Sequence, residues 1–319
     1  MCTAITYHTK DHYFGRNLDY ETTFGEQVVL MPRRYGLCYK CLGDGLLSSD
    51  EHYAMLGMAV VSDGYPLYFD AVNERGLAMA GLRFVGNAYY EKPGECSESK
   101  AEIAPYELIP WVLSQCETIE QACGLLEQTC IVAVPFSDYF PLSPLHFMIA
   151  DKTGAIVAEP MRDGLKIHEN PIGVLTNNPP FPFHLANLNN YMNVTPDVPD
   201  NRFSSDLPLE RYSRGMGAIG LPGDVSSASR FVRAAFVRAN SVSGKSEQES
   251  INQFFHILGS VEQIRGCVRL ENNGYEITTY SCCCNLEQGI YYYRTYEDNT
   301  LRKVDMWEMD LGGKQLHHS

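Results

Sequence analysis

The first twenty residues, MCTAITYHTKDHYFGRNLDY, limit the possible folds of this chain more than any other stretch. Thr3, Ile5 and Tyr7 alternate with Ala4, Thr6 and His8, the period of a half-buried strand. Lys10-Asp11-His12 is polar enough to turn the chain, and residues 13–18 can return as a second strand. With the turn there, residues whose numbers sum to about 21 or 22 face each other. Asp19 then lies across from Cys2 or Thr3, with Arg16 a little further along. The start of the chain is thereby tied into a sheet, with a thiol near an acid and a base.

Downstream, blocks of strands alternate with blocks of helices. Residues 27–32 (QVVLMP) read as a strand, 33–47 as a polar connection, and 53–62 (YAMLGMAVVS) as a buried strand. Residues 69–82 predict two strands around the turn Asn73-Glu74-Arg75-Gly76. A loop over 87–102 precedes a helix with Pro105 in its first turn, then a second helix opened by Thr118 and Gln121. Strands resume at 146–150, 155–159, 165–169 and 174–177. Residues 179–223 are rich in Pro, Asn and Gly and hold little periodicity. So long an irregular segment usually lines a site or reaches into a neighbouring subunit. Ser226 or Ser227 caps a helix, another runs over about 247–258, and strands at 276–283 and 289–295 follow. This order predicts an α+β chain, with two mainly antiparallel sheets sandwiched between helical layers in one domain.

The net charge of −14, without a basic run, argues against a nucleic-acid partner. No apolar stretch approaches membrane-spanning length, and the start has neither region of a secretory signal, so the expected location is cytoplasmic. In that setting the eleven cysteines read as reduced thiols. Cys38-Tyr39-Lys40-Cys41 has the spacing of half a zinc site, and Cys282-Cys283-Cys284 offers sulfur for the rest. No second C-x-x-C and no histidine at finger spacing accompanies them, and free thiols pack readily as small hydrophobes.

Removal of Met1 would place a thiol and a free α-amine on one residue, groups whose reference pKa values are about 8.5 and about 7.7–8.0. The amine can then act as base for its own side chain, with Asp19 orienting it and Arg16 favouring the thiolate. Taken alone, Cys2 is only the second residue, and an Arg–Asp pair is often structural. No GxSxG, HExxH, GxxxxGK[ST] or helix-opening GxGxxG occurs. His146 and His184 are alternative bases for a cysteine, or simply packed histidines. Asn177, ending an apolar strand, offers a side-chain donor to an oxyanion, although Asn177-Asn178-Pro179 reads equally as a turn.

Together these pieces resemble the choloylglycine hydrolases (bile salt hydrolases and penicillin V acylases) of the N-terminal-nucleophile hydrolase superfamily. The landmarks are Met1-Cys2-Thr3, Phe14-Gly15-Arg16-Asn17-Leu18-Asp19, Asn73-Glu74-Arg75-Gly76-Leu77, Gly173-Val174-Leu175-Thr176-Asn177, Gly220-Leu221-Pro222-Gly223-Asp224 and Ser229-Arg230-Phe231. The resemblance implies an αββα sandwich running from Cys2 to Ser319 once Met1 is removed, and no metal or cofactor. It implies Cys2 as nucleophile, Asp19 holding its amine, Arg16 by the sulfur, and Asn177 and the Arg83 backbone amide at the oxyanion. Arg230 matches a family arginine near the nucleophile, with a structural ion pair as the alternative. The implied reaction is hydrolysis of a conjugated bile salt through an S-acyl enzyme, with penicillin V or another N-acyl amide as the alternative substrate. Acyl transfer to other amines is a related possibility, and a non-catalytic thiol-rich binding protein is the reading from another class. Leu18, Ser62, Phe69, Phe136 and Phe140 match pocket-lining positions. At position 83, arginine replaces the Asn of bile salt hydrolases and the Tyr of penicillin V acylases. Against the negative net charge, Arg83 and Arg214 are the candidates to meet an anionic substrate. Residues 187–223 match an assembly loop, which implies a homotetramer.

Overall fold

Val28 and Leu30 bury their side chains in one apolar cluster, while Val29 and Met31 bury theirs in another. Ala78, Ala80 and Leu82 against Leu77 and Met79 repeat the alternation, as do Met148 and Ala150 against Phe147 and Ile149. A sheet that buries both faces in this way must lie inside the molecule. The computed structural model describes residues 1–42 and 52–318, so part of the expected 33–47 connection lies outside the described residues.

The strands are β1 (Cys2–His8), β2 (His12–Tyr20), β3 (Gln27–Met31), β4 (Met55–Ser62), β5 (Tyr65–Asn73), β6 (Ala78–Arg83), β7 (Ala101–Ile103), β8 (Thr129–Ile131), β9 (Leu145–Asp151), β10 (Gly154–Met161), β11 (Gly164–Glu169), β12 (Val174–Leu175), β13 (Ile277–Asn285), β14 (Ile290–Thr295), β15 (Arg302–Asp305) and β16 (His317–His318). The helices are α1 (Leu108–Leu113), α2 (Ile119–Glu127), α3 (Phe181–Asn187), α4 (Ser227–Asn240) and α5 (Glu247–Gly259). One antiparallel sheet has the order β12-β1-β2-β13-β14-β15, and the second β11-β10-β9-β6-β5-β4-β3-β16. Phe231, Ala234, Phe254 and Leu258 of α4 and α5 join the cluster between and around the sheets. Leu108, Val112, Ala122 and Leu126 of α1 and α2 cover the far face of the second sheet. The result is the expected four-layer αββα sandwich.

Helix ends follow the sequence signals. Thr118 Oγ1 accepts from Gln121 N, and Ser226 Oγ from Ser229 N. Gly76 closes the Asn73 turn at φ 84°, a conformation that side chains disfavour. Gly15 is required for another reason: a Cβ there would run into the backbone carbonyl of Cys282 on the neighbouring strand.

Three expectations change. The opening hairpin is tighter than predicted, because the turn uses only Thr9-Lys10-Asp11 and His8 pairs with His12. Cys2 therefore faces Leu18, and Asp19 lies across from Met1 instead of Cys2 or Thr3. The 179–223 segment is not wholly irregular, since α3 forms after Pro180 and buries Phe181 and His184. Prolines at a helix start are compatible with helix, and the sequence around them hid it. Finally, the cysteines are not all free thiols: Cys96 and Cys130 form a disulfide across 34 residues, beside the parallel β7–β8 pair.

Candidate active site

Cys2 opens β1, and Arg16, two residues before the facing Leu18, is its diagonal neighbour on the same face. Arg16 Nη2 donates to Cys2 Sγ at 2.7 Å, and its Nη1 to the carbonyls of Phe69 at 3.0 Å and Gly81 at 2.6 Å. One fully buried guanidinium thus links the thiol in the first sheet to strands of the second. Burial alone would lower the pKa of Arg16, but Cys2, Tyr280 and Asp70 outweigh it and the guanidinium stays charged.

Asp70 supplies a balancing group that the sequence reading missed. It is buried, with Oδ1 accepting from the Tyr291 hydroxyl at 2.6 Å and Oδ2 from that of Tyr280 at 2.5 Å. Burial pushes its carboxyl upward, while Arg16 and the two hydroxyls pull it back. Only the three-dimensional pairing of β2, β5, β13 and β14 makes this grouping visible.

Asn177 follows the short strand β12 and reaches Cys2 from the other side. Its Oδ1 accepts from Cys2 N at 2.9 Å and from Arg230 Nη2 at 2.7 Å. Its Nδ2 donates to the Arg83 carbonyl at 2.8 Å, which leaves the second amide hydrogen free for another acceptor. Arg230 Nη1 holds the Cys2 carbonyl at 2.5 Å and Thr3 Oγ1 at 2.6 Å, and lies 3.9 Å from Asp19 Oδ2. Burial lowers the pKa of Arg230, and Asp19 and Cys2 counter it. Asp19 Oδ1 accepts from Thr278 Oγ1 at 2.6 Å, whereas its buried Oδ2 has no hydrogen-bond donor. An acceptor is thereby held in reserve near Cys2.

The segment bearing Asn177 is itself braced. His146 Nδ1 pairs with Glu159 Oε1 at 3.1 Å and its Nε2 donates to the Thr176 carbonyl at 3.0 Å, while His184 Nε2 donates to the Asn177 carbonyl at 2.9 Å. Neither histidine approaches Cys2 as a base; both hold backbone. Burial lowers the pKa of His184, and its buried Nδ1 has no partner to receive a proton. The folded state therefore takes up this proton at lower pH than the unfolded chain, and stability falls as pH drops below about 6.5. Urea midpoints at pH 7 and pH 5 should show a smaller acid loss for His184→Gln, which keeps a donor for Asn177, than for wild type.

Cys2 lines a cavity of about 620 Å³, together with Leu18, Phe69, Arg83, Phe136 and Phe140 among others. Tyr20, Val60, Leu67, Tyr106 and Ile109 add apolar wall that the sequence reading did not single out. Ser62 is not among the described lining residues, because it lies at the end of β4 beyond Val60. Arg214 is exposed in the 187–223 segment and does not line this cavity either. The Arg83 guanidinium lies over the Tyr20 ring, 5.5 Å from its centroid. A buried thiol beside a fixed cation, a side-chain amide with a free hydrogen, and an apolar chamber suit acyl transfer to sulfur.

The family model for linear amide C–N hydrolases, choloylglycine hydrolase family, matches residues 2–318. The chain belongs to the choloylglycine hydrolase family. It is 48% identical to the bile salt hydrolase/transferase of Lactiplantibacillus plantarum over 316 residues, covering 99% of this chain and 95% of that protein. A variant of the conjugated bile acid hydrolase from Clostridium perfringens superposes with a TM-score of 0.90 at 38% identity, covering 100% of this chain and 96% of the other. Penicillin V acylase from Agrobacterium tumefaciens shares the fold, with a TM-score of 0.77 at 21% identity, covering 99% and 90%. Like other choloylglycine hydrolases, the chain is a hydrolase of linear amide C–N bonds. No helix among the described residues is long and apolar enough to cross a membrane.

Proposed function

We propose that this chain is a bile salt hydrolase, cleaving the amide of glycine- or taurine-conjugated bile salts through a Cys2 thioester. The supporting observation is the buried thiol held by Arg16 at 2.7 Å in a cavity of about 620 Å³ whose lining is largely apolar. In this reading Met1 is removed and the Cys2 amine, held by Asn177 Oδ1 and the vacant Asp19 oxygen, takes the thiol proton. The sulfur attacks the amide carbonyl, and its oxygen draws on the free hydrogen of Asn177 and the Arg83 backbone amide. The proton passes to the leaving amine, and water then hydrolyses the thioester. Phe69, Phe136 and Phe140 offer a wall for a steroid body, and Arg83 a cation for the carboxylate or sulfonate.

Relatives named hydrolase/transferase favour a second outcome of the same thioester, its capture by an amine instead of water. Exposed Met192, Phe203, Leu209 and Tyr212 support a role for 187–223 in a homotetramer, in which Arg214 could only serve a site beyond its own chain's cavity. The protein is read as a single cytoplasmic catalytic unit beginning at Cys2. Parallel assays of glycocholate, taurocholate and penicillin V test the substrate. The conjugated bile salts should turn over at least about 10-fold faster, one order in kcat/KM corresponding to about 1.4 kcal/mol of transition-state binding. Faster turnover of penicillin V would overturn the assignment.

A further inference from the structure

The α-ammonium of Met1 is itself a bound cation. It donates to the Asp19 carbonyl at 2.8 Å and pairs with the buried carboxylate of Glu276, the residue just before β13. The same small cavity, about 200 Å³, is lined on another side by Arg83 and Asn178. Arg83 has no carboxylate within ion-pair distance among the described residues, and it also faces the larger chamber that contains Cys2. Loss of Met1 leaves an ammonium cradle, Asp19 carbonyl plus Glu276 carboxylate, in a cleft that also holds the Arg83 side chain, one residue along the chain from Cys2 and sharing Tyr20, Glu21 and Arg83 with the chamber that contains its thiol. We propose that this vacated cleft is a binding site for the acceptor amine of the transfer reaction, and that Glu276 and Arg83 select small zwitterions carrying a primary ammonium and a carboxylate or sulfonate. The proposal rests on the Cys2 thioester reading.

The two charges act on different species. A conjugated amide nitrogen offers Glu276 one uncharged N–H, whereas a free amino acid presents the charged ammonium that Met1 presents here. In transfer, the bound ammonium loses one proton through Glu276 to solvent. The nitrogen lone pair then forms the C–N bond as the C–S bond breaks. A second nitrogen proton passes by way of the Cys2 amine to the departing sulfur, which regenerates the thiol. The sum is thioester plus ammonium giving amide, thiol and one proton.

The experiment measures partition between free acid and amide product, with a bile salt as acyl donor and taurine, glycine or ethanolamine as acceptor. For Glu276→Gln, the acceptor concentration giving equal amounts of both products should rise about 10-fold with all three amines. For Arg83→Gln it should rise by a similar factor with taurine and glycine but stay within about 2-fold with ethanolamine, which has no anionic end. Glu276→Asp should restore partition in part. Intact mass confirms that each variant has lost Met1, and circular dichroism that it is folded. Equal partition in Glu276→Gln and wild type, or a loss with ethanolamine in Arg83→Gln as large as with taurine, overturns the proposal. A wild type that does not hydrolyse the donor at all would instead defeat the bile salt reading.

Discussion

Cys2→Ala should abolish amide hydrolysis, lowering turnover by at least about 10³-fold while the protein stays folded. The thiol is buried and contacts Arg16, so the substitution also removes the partner of one guanidinium nitrogen. Two other nitrogen contacts, to Phe69 and Gly81 carbonyls, keep Arg16 in place, and the stability cost should remain within about 1–3 kcal/mol. Steady-state turnover beside a urea titration separates the two effects. Full-rate hydrolysis by Cys2→Ala, or by a chain with residues added ahead of Cys2, would leave the thioester mechanism untenable. The second variant matters because it retains the thiol and removes only the free amine.

Asn177→Ala should lower kcat by about 10²–10³, the usual loss for one oxyanion donor. Its side chain can do two jobs at once: Oδ1 receives Cys2 N and Arg230 Nη2, and Nδ2 keeps one hydrogen that the Arg83 carbonyl does not take. Asn177→Asp separates them, because it keeps the acceptor and loses the donor. If the donor dominates, both variants should be similarly slow, with KM changing much less than kcat. Recovery of near wild-type kcat in Asn177→Asp would assign Asn177 to holding the Cys2 amine alone.

How far the sequence carries depends on whether a feature is local. The unbroken apolar run over residues 28–31 already reads as a strand, and one buried on both faces is its natural outcome, while Thr118 and Ser226 already mark helix starts. Cys2 and Arg16 belong to one hairpin, so their proximity needs only a turn; the error in register moved Asp19 by one or two places. Asn177 and Arg230 are singled out only by the resemblance, since nothing in their own neighbourhoods separates a donor from a turn or an ion pair; the structure sets both against Cys2. Asp70 and Glu276 escaped altogether. Each is an acid in a strand or at its edge whose meaning comes from a partner more than 200 residues away, Tyr280 for one and the Met1 amine for the other. Ser62 lies at the end of β4, two residues beyond Val60, and is not among the lining residues of the Cys2 cavity.

The Met1 ammonium seated on Glu276 and Asp19 gives each molecule a history that it carries from synthesis. A chain that keeps Met1 has its amine locked in an amide and its cleft filled; a chain that has lost it has neither obstacle. The two differ by one peptide bond, and no folding equilibrium connects them. In the thioester reading, the specific activity of a preparation is then a census of matured molecules, and intact mass, which resolves the loss of one methionine, would count them.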